Sequence, residues 1–473
     1  MDDAKQSVVI IGGGVTGLTA AYYMQKEIRE RNLPVRCTLI EASDRLGGKI
    51  QTYTKNGFVI EKGPDSFLAR KKSAARLAAE VGMADNLVAN KAGKSYVLVK
   101  GRLHEMPGGS IMGIPTKMAP FAFSGLFSPF GKLRAGADLV LPRSKSNNDQ
   151  SLGQFFRRRL GGEVVENLIE PLLSGIYAGD IDNLSLLATF PQFQHVEQKH
   201  RSLILGMKSV TPKAPKQKEK PENKKTSMFL TVSTGLESFV HAVEKRLDSG
   251  SVLKNTAVQA IEKHGERYHI TLNNGEVIEA DTVIVTTPHK KTAEMFSQYD
   301  FFEPFRHMPS TSVATVAMAF SESAVKEDID GTGFVVSRNN HYTITACTWT
   351  HKKWPHTTPE GKVLLRCYVG RAGSEEIVDC SDDEIKNAVL EDLNQTMSIT
   401  EEPEFSVITR WKNSMPQYTV GHKQRIETIK EKLDNELPGV FLAGASYEGL
   451  GLPDCIDQGE EAVKKVLQLL NLK

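Results

Sequence analysis

The 473-residue sequence lacks an excess of charge of either sign, since Lys and Arg total 59 against 57 Asp and Glu. Proteins that bind nucleic acid through backbone phosphates usually carry a clustered basic surplus, so the balance argues against that class of protein. It argues equally against attraction of the whole molecule to an anionic membrane. Any acidic ligand must therefore meet a local group of basic side chains.

Cysteine is scarce, and long apolar runs are absent. The five cysteines show neither C-x-x-C pairs nor metal-ligand spacing, which predicts reduced thiols in a cytoplasmic protein and no metal site. No run of about 18 apolar residues occurs, and the apolar stretch 118–130 is broken by Pro120, Gly125 and Pro129. The first predicted strand begins within a few residues of Met1, which leaves no room for a signal peptide. We therefore expect a protein that is neither secreted nor membrane-spanning.

The periodicity of apolar residues predicts α/β structure at both ends of the chain and a largely antiparallel sheet between residues 311 and 369. The chain is longer than one hydrophobic core usually serves, so more than one domain is expected. Between 186 and 205 no period is clear. Residues 208–227 are rich in Lys and Pro and predict a flexible surface insertion. The other predicted elements are strands at 7–11, 35–40, 282–286 and 439–444, helices at 15–31, 235–247 and 453–470, and a hairpin of 268–272 with 277–280.

Residues 12–17 (GGGVTG) satisfy G-x-G-x-x-G directly after a strand and at the start of a helix, which is the context of a dinucleotide-binding motif. Gly12 permits a tight turn, Gly14 lets a pyrophosphate approach the backbone, and Gly17 allows close helix packing. The helix start offers amides and a positive dipole end to the phosphates. Glu41, at the end of the second strand, is placed to accept hydrogen bonds from ribose hydroxyls.

Further glycines follow at a spacing that favours a flavin over a nicotinamide. Residues 44–49 (DRLGGK) come directly after Glu41, and glycines there let the chain pass tightly beside a cofactor. No second G-x-G-x-x-G follows a strand, so we expect the electron acceptor to diffuse in. Near the C-terminus, Pro453 opens a helix whose positive end would stabilise negative charge on a reduced flavin.

These motifs in this order resemble the FAD-binding amine oxidase superfamily over nearly the whole chain. Two segments, 173–180 (LSGIYAGD) and 444–456 (GASYEGLGLPDCI), are similar to sequences of its protoporphyrinogen and coproporphyrinogen III oxidases. In amine oxidases the second segment usually runs towards E-G-A, sometimes with a cysteine bonded to flavin. Here Leu450 departs from that pattern, and Cys455 is expected to be a small buried thiol. The resemblance therefore implies non-covalent FAD.

The resemblance implies a fold with a Rossmann-type FAD-binding domain, a mixed-sheet substrate domain and a small helical domain, as in amine oxidases and p-hydroxybenzoate hydroxylase. The expected boundaries are 1–52, 228–292 and 410–473 for the discontinuous FAD-binding domain; 53–92, 172–207 and 293–409 for the substrate-binding domain; 93–171 for the helical domain; and 208–227 for the insertion.

The resemblance also implies the residues that contact FAD. Val258 would reach the adenine with its backbone, Ala445 and residues 450–452 would line the isoalloxazine, and Trp411 is either a flavin neighbour or a core aromatic residue. The full expected set is Gly12, Gly13, Gly14, Val15, Thr16, Gly17, Glu41, Ala42, Lys49, Gly63, Pro64, Asp65, Ser66, Val258, Trp411, Ala445, Leu450, Gly451 and Leu452.

The substrates implied by the resemblance are porphyrinogens, which carry propionates and call for an apolar cavity with cations at its rim. Lys71 occupies the stretch where the family places a propionate-binding cation, although the basic run 70–72 is also typical of a solvated helix start. Gly175 and Ile176 are expected near the reacting methylene bridge. No side chain is expected to act as a catalyst beyond FAD itself.

The implied reaction, in haem biosynthesis, removes six electrons in three hydride transfers to flavin N5, and dioxygen reoxidises FAD to give hydrogen peroxide. The absence of a spanning helix favours the tetracarboxylate coproporphyrinogen III, with protoporphyrinogen IX also accepted. Protoporphyrinogen IX as the main substrate, an amine or carotenoid-type flavin oxidoreductase, and a non-enzymatic porphyrin carrier stay open. Two interactions also stay open: handover to the next haem-pathway enzyme and peripheral contact with the inner face of the cell membrane. No nucleic-acid partner is expected.

Overall fold

The computed structural model describes residues 6–91, 93–210, 228–326 and 329–472. The chain divides into two compact units. The first comprises residues 1–90, 228–308 and 424–473, and the second comprises 91–227 and 309–423. Each unit therefore collects segments that are distant in sequence.

The centre of the first unit is a five-stranded parallel sheet. Its central strand is rich in β-branched residues and is buried on both faces, which is typical of a parallel strand with structure packed on each side. Val8 and Ile10 face an apolar cluster that includes the first and last helices, whereas Val9 and Ile11 face a second cluster. Each such fully buried side chain stabilises the fold by about 1.5–3 kcal/mol. The strand order is Val252–Leu253, Val35–Ile40, Gln6–Ile11, Thr282–Val285 and Val440–Leu442.

The first unit also contains three smaller antiparallel sheets and several helices. Its smaller sheets are the hairpin of Thr52–Lys55 with Phe58–Glu61, the set Phe67–Leu68, Phe229–Val232 and Leu87–Ala89, and the set Val258–His264, Arg267–Leu272 and Val277–Ala280. Its helices are Val15–Arg31, Lys72–Glu80, Leu236–Glu244, His289–Met295, Glu303–His307, all but the first two residues of His422–Glu436, and Leu452–Leu469.

The second unit is built on a seven-stranded mixed sheet. Helix Asp382–Met397 covers one face with Ile385, Val389 and Leu393, and a capping box at Ser381 fixes its start. Among its described strands, only the neighbouring pair Gly333–Val336 and Tyr96–Val99 runs parallel. The strand order is Phe405–Pro416, Ser310–Ser321, Lys362–Val369, Ile344–Trp349, Gly333–Val336, Tyr96–Val99 and Arg102–Glu105.

Helices make up most of the rest of the second unit. The hairpin of Ser110–Ile111 with Ile114–Pro115 precedes them. They are Met118–Phe123, Pro129–Gly136, Leu152–Leu160, Gly162–Val164, the π-helical turn Val165–Ile169, Glu170–Tyr177, Leu186–Thr189, Pro191–His200, Leu203–Val210 and, later in the chain, Thr350–Lys353.

The predicted α/β class, the first βα unit, the hairpin and the antiparallel sheet are confirmed. Residues 186–205, whose sequence shows no clear period, lie in helices that are too short to show one. Residues 208–210, which were predicted to begin the insertion, belong instead to the last of these helices; residues 211–227 lie outside the described part of the chain. Residues 53–90 fall in the first unit, and 93–171 lie within the second. The three-domain division stays a prediction.

Among the described residues, no helix is both long enough and apolar enough to cross a membrane.

Candidate functional site

The glycines of the turn after the first strand differ in what surrounds them. A side chain at Gly17 would collide with the carbonyl oxygen of Gly12, and Gly12 itself has a φ of +101° with a built Cβ only 2.8 Å from the Oγ1 atom of Thr286. At Gly14 no described atom lies within 4 Å of such a Cβ. Packing therefore requires Gly12 and Gly17, whereas the open side of Gly14 leaves room for a ligand.

The helix that starts at this turn presents free backbone donors. Gly14 is its N-cap, no side chain caps it, and its first turn carries no acidic residue. The first N–H groups of a helix have no partner within the helix, and they lie at the positive end of its dipole. This start is therefore suited to a phosphate.

The Glu41 carboxylate is held at the end of the second strand, beside the same turn. Its Oε2 accepts from the Gly13 N–H at 2.6 Å, and its Oε1 accepts from the N–H and Oγ of Ser43 at 2.8 and 2.7 Å. Oε2 can accept one further hydrogen bond, so a ribose hydroxyl can still be bound there. The Thr256 N–H donates to the Glu41 carbonyl at 3.0 Å, which brings the start of the strand at Val258 to the same edge. Ala42, next in sequence, is exposed.

A second glycine turn lies directly against the first. The Gly47 N–H donates to the Gly13 carbonyl at 2.8 Å, and a Cβ at Gly48 would be 3.2 Å from Gly14. Arg45 braces this turn by donating to the carbonyls of Gly48 and Ile50 and to the Glu237 carboxylate. Sequence reasoning missed this brace, because nothing local indicates that Glu237 is the partner of Arg45.

Lys49 ends the second turn beside Cys455 and His289, which lie within electrostatic range of it. Lys49 as a whole is exposed to solvent. The surrounding protein nevertheless desolvates its ammonium group, which lowers the pKa of Lys49. This combination is typical of a side chain in a narrow cleft. Burial raises the pKa of the Cys455 thiol to about 11, so it stays protonated at neutral pH. Burial lowers the pKa of His289, whose ring nitrogens contact the Ser446 hydroxyl and the Met308 carbonyl.

The last helix of the chain packs against the first one near their N-terminal ends. A Cβ at Gly459 would be 2.6 Å from the Thr16 carbonyl oxygen, and the Thr16 hydroxyl hydrogen-bonds Cys455. Gly444, which follows the strand Val440–Leu442, has a φ of +118° and lies against the same threonine. The two helix starts therefore lie side by side. Ala445 and the residues Leu450, Gly451 and Leu452 lie on the segment that leads into the last helix.

Lys71 does not stand alone in the structure. It is the N-cap residue of helix Lys72–Glu80, and its Nζ forms an ion pair with the Asp454 carboxylate. Asp454 lies in the first turn of the last helix, and both side chains are about one-third exposed, at 35% and 30%. The sequence marked Asp454 only as part of a helix start. Its pairing with Lys71 spans 383 positions, so no local pattern could have found it.

The other predicted site residues fall into two places. Gly63, Pro64, Asp65 and Ser66 connect strands Phe58–Glu61 and Phe67–Leu68 in the first unit, where the Ser66 hydroxyl donates to Asp65 at 2.6 Å. Trp411, Gly175 and Ile176 belong to the second unit. Trp411 lies opposite Val313 on a partly buried strand, and Ile176 is 50% exposed on helix Glu170–Tyr177.

Comparison with known proteins decides the family. The profile for flavin containing amine oxidoreductases matches residues 15–467. The chain belongs to this flavin-containing amine oxidoreductase family. The predicted superfamily and fold are thereby confirmed, and a flavin is the cofactor of the family. The open space at Gly14, the uncapped helix start and the placement of Glu41 fit such a group.

Relatives within this flavin amine oxidoreductase family cover the whole chain. The chain is 58% identical to the coproporphyrinogen III oxidase of Bacillus subtilis, covering 99% of this chain and 100% of that one. It is 46% identical to the enzyme of the same name from Staphylococcus aureus, over 98% and 99% of the two chains. Identity to the chloroplastic protoporphyrinogen oxidase of Nicotiana tabacum is 30%, over 99% and 86%.

Solved structures give the same fold. A crystal structure from Exiguobacterium sp. 255-15 matches with a TM-score of 0.87 and 38% identity, covering 98% of this chain and 99% of that one. A putrescine oxidase variant matches with a TM-score of 0.70 over 98% and 99% of the chains. At 15% identity, that second match carries the fold alone.

Proposed function

We propose that this flavoenzyme oxidises coproporphyrinogen III to coproporphyrin III in haem biosynthesis, with dioxygen as acceptor and hydrogen peroxide as product. It also accepts protoporphyrinogen IX. The observation that carries the proposal is the 58% identity, over the full length of both chains, to the Bacillus subtilis coproporphyrinogen III oxidase. The segments 173–180 and 444–456 independently favour a porphyrinogen over an amine.

The cofactor in this proposal is FAD, bound without a covalent bond. The start of the first helix holds its pyrophosphate, Glu41 accepts from the ribose, Val258 lies at the adenine, and Ala445 with residues 450–452 lines the ring system. The protonated, buried Cys455 thiol supports non-covalent binding, because attachment through sulfur needs an accessible thiolate. When bound, the flavin supplies the electron-accepting chemistry of the reaction.

The protein binds and orients the substrate, and no side chain forms a covalent bond to it. Lys71 binds a propionate, and Asp454 positions its ammonium by using one of its three N–H donors. The positive charge of Lys71 also offsets the negative charge of Asp454, which would otherwise weaken the positive potential at the start of the last helix. Ile176 offers exposed apolar surface to the macrocycle beside Gly175, whose backbone is exposed.

Protoporphyrinogen IX as the main substrate is the second candidate, because the tobacco relative named for it covers nearly the whole chain. The deciding experiment supplies each porphyrinogen to the purified protein and follows porphyrin fluorescence together with hydrogen peroxide. We expect kcat/KM to be higher for coproporphyrinogen III. A higher value for protoporphyrinogen IX would reverse the assignment, and oxidation of amines without oxidation of either porphyrinogen would defeat it.

The proposed location is the cytoplasm, with peripheral contact at the inner face of the cell membrane. Four apolar side chains between residues 118 and 140 support the contact, because most of their surface is exposed: Phe123, Phe130, Leu133 and Val140, at 89%, 78%, 74% and 75%. Sedimentation with lipid vesicles tests it, and protein that stays in the supernatant at every lipid composition would argue against it. Handover of product to the next enzyme stays a prediction.

A further inference from the structure

Two arginines lie at one edge of the seven-stranded sheet of the second unit. Arg338 follows strand Gly333–Val336, and Arg371 follows strand Lys362–Val369. Both strands pair antiparallel with Ile344–Trp349, so they run in the same direction and end at the same edge of the sheet.

The two guanidinium groups differ in their partners. Arg338 Nη1 lies 3.1 Å from the Asp180 carboxylate and 3.9 Å from that of Glu170. Arg371 is partly buried, and no described carboxylate comes within ion-pair distance of it; Glu170 and Arg338 are its charged neighbours. Its burial lowers the pKa of the guanidinium, although not enough to remove its charge.

The carboxyl groups beside these arginines, Glu170 and Asp180, carry too little negative charge to balance both guanidinium groups. Burial raises the pKa of Glu170 to about 7, so this 5% exposed carboxyl is only partly ionised at neutral pH. Asp180 already accepts from Arg338, from the Asp182 N–H and from the Asn183 side chain. A partly buried cation without a matching anion is unfavourable, so an external carboxylate would be favoured beside Arg371.

The cluster lies next to helix Glu170–Tyr177, which carries the residues assigned to the substrate. The Ala372 N–H donates to the Ala178 carbonyl at 2.9 Å, which places Arg371 beside the end of that helix. Ile176, two positions before Ala178, exposes half of its surface. Apolar surface for a macrocycle and a cation for an acidic substituent are therefore close together.

We propose that Arg371, supported by Arg338, binds a propionate carboxylate of the porphyrinogen. The inference rests on the proposed function, because it names a further residue that binds a carboxylate of the same substrate. A planar guanidinium can hold a carboxylate with two parallel hydrogen bonds, which Lys71 cannot do. The more propionates a substrate carries, the more such contacts it can satisfy.

The test compares the flavin-loaded wild type with Arg371→Gln and Arg371→Met. Arg102→Gln is the control, because Arg102 is an exposed arginine on the edge strand of the same sheet. Titration follows the fluorescence of coproporphyrin III and of its tetramethyl ester, which lacks the four carboxylates. We expect both Arg371 variants to bind the free acid about tenfold or more weakly, and the ester as wild type does. The control should leave both affinities unchanged.

Unchanged binding of the free acid by the Arg371 variants would overturn the inference. Equal weakening for acid and ester, or loss of folding and flavin content in both variants, would overturn it as well, since Arg371 would then be structural. Failure of the proposed function has a separate result. In that case the wild-type protein would oxidise neither porphyrinogen, whether or not the Arg371 variants bind coproporphyrin III more weakly.

Discussion

Replacing Gly14 with Ala should remove the flavin and leave the polypeptide folded. Gly14 has a φ of −64° and a ψ of 177°, which any residue can adopt, and no described atom would contact the new methyl group. The loss of chain freedom in the unfolded state favours Ala by about 0.4–1 kcal/mol. The poorer N-cap costs a similar amount, so the free energy of unfolding of the flavin-free protein should change by less than about 1 kcal/mol.

Flavin binding should respond very differently. The methyl group would occupy the space through which a pyrophosphate reaches the first amides of the helix. Each charge-assisted hydrogen bond lost costs about 1.5–3 kcal/mol, so the loss of two costs about 3–6 kcal/mol. The dissociation constant for flavin should therefore rise by about a hundredfold or more.

Gly17→Ala is the matched control, because its methyl group collides with the Gly12 carbonyl oxygen. Such overpacking costs about 1–3 kcal/mol of stability even without flavin. Thermal unfolding of the flavin-free proteins and fluorescence titration with FAD separate the two effects. Wild-type flavin affinity in Gly14→Ala, or a stability loss as large as that of Gly17→Ala, would refute the assignment of Gly14 to the pyrophosphate.

Three other changes test the site. Acid precipitation should release intact flavin from wild type and equally from Cys455→Ser; flavin that stays on the wild-type protein would show a covalent bond. Lys71→Ala should raise KM for coproporphyrinogen III about tenfold, at unchanged flavin content, because one propionate contact is lost; unchanged kinetics would make Lys71 a solvated helix-start residue. Glu170→Gln should remove a pH dependence of stability. The carboxyl has an ordinary pKa of 4.5 and a raised pKa of about 7 in the fold, so it binds its proton more tightly in the folded state. Wild type should therefore lose about 3 kcal/mol relative to the variant as pH rises from 4.5 to 7, as urea unfolding at each pH would show, and parallel curves would contradict this.

The phosphate and ribose contacts of the candidate site could be predicted from sequence because their determinants are local. A strand, a glycine turn and a helix start are adjacent in the chain, and Glu41 ends the next strand. The strands are runs of β-branched residues and the helix follows a glycine turn, so the predicted ends of these elements agree with the structure to within one residue. Each feature required only a short window of sequence.

The charged contacts could not be predicted in this way. Asp454 meets Lys71 across 383 positions, and Arg371 meets Arg338 only because two strands end at one sheet edge. Such pairs depend on sheet order and on helix packing, which no local pattern encodes. The short helices between 186 and 210 were missed for the opposite reason, since each is at most ten residues long.

The contact between the last helix and Thr16 has a consequence for how the protein is made. The strand Val440–Leu442 and helix Leu452–Leu469 are synthesised long after residues 6–17, yet they complete the same sheet and pack against the start of the first helix. Contacts of such long sequence separation form late, because the chain must close a very large loop first. During synthesis the glycine turn therefore lacks these partners until residues 440–469 have been made, and we expect flavin binding to follow that step.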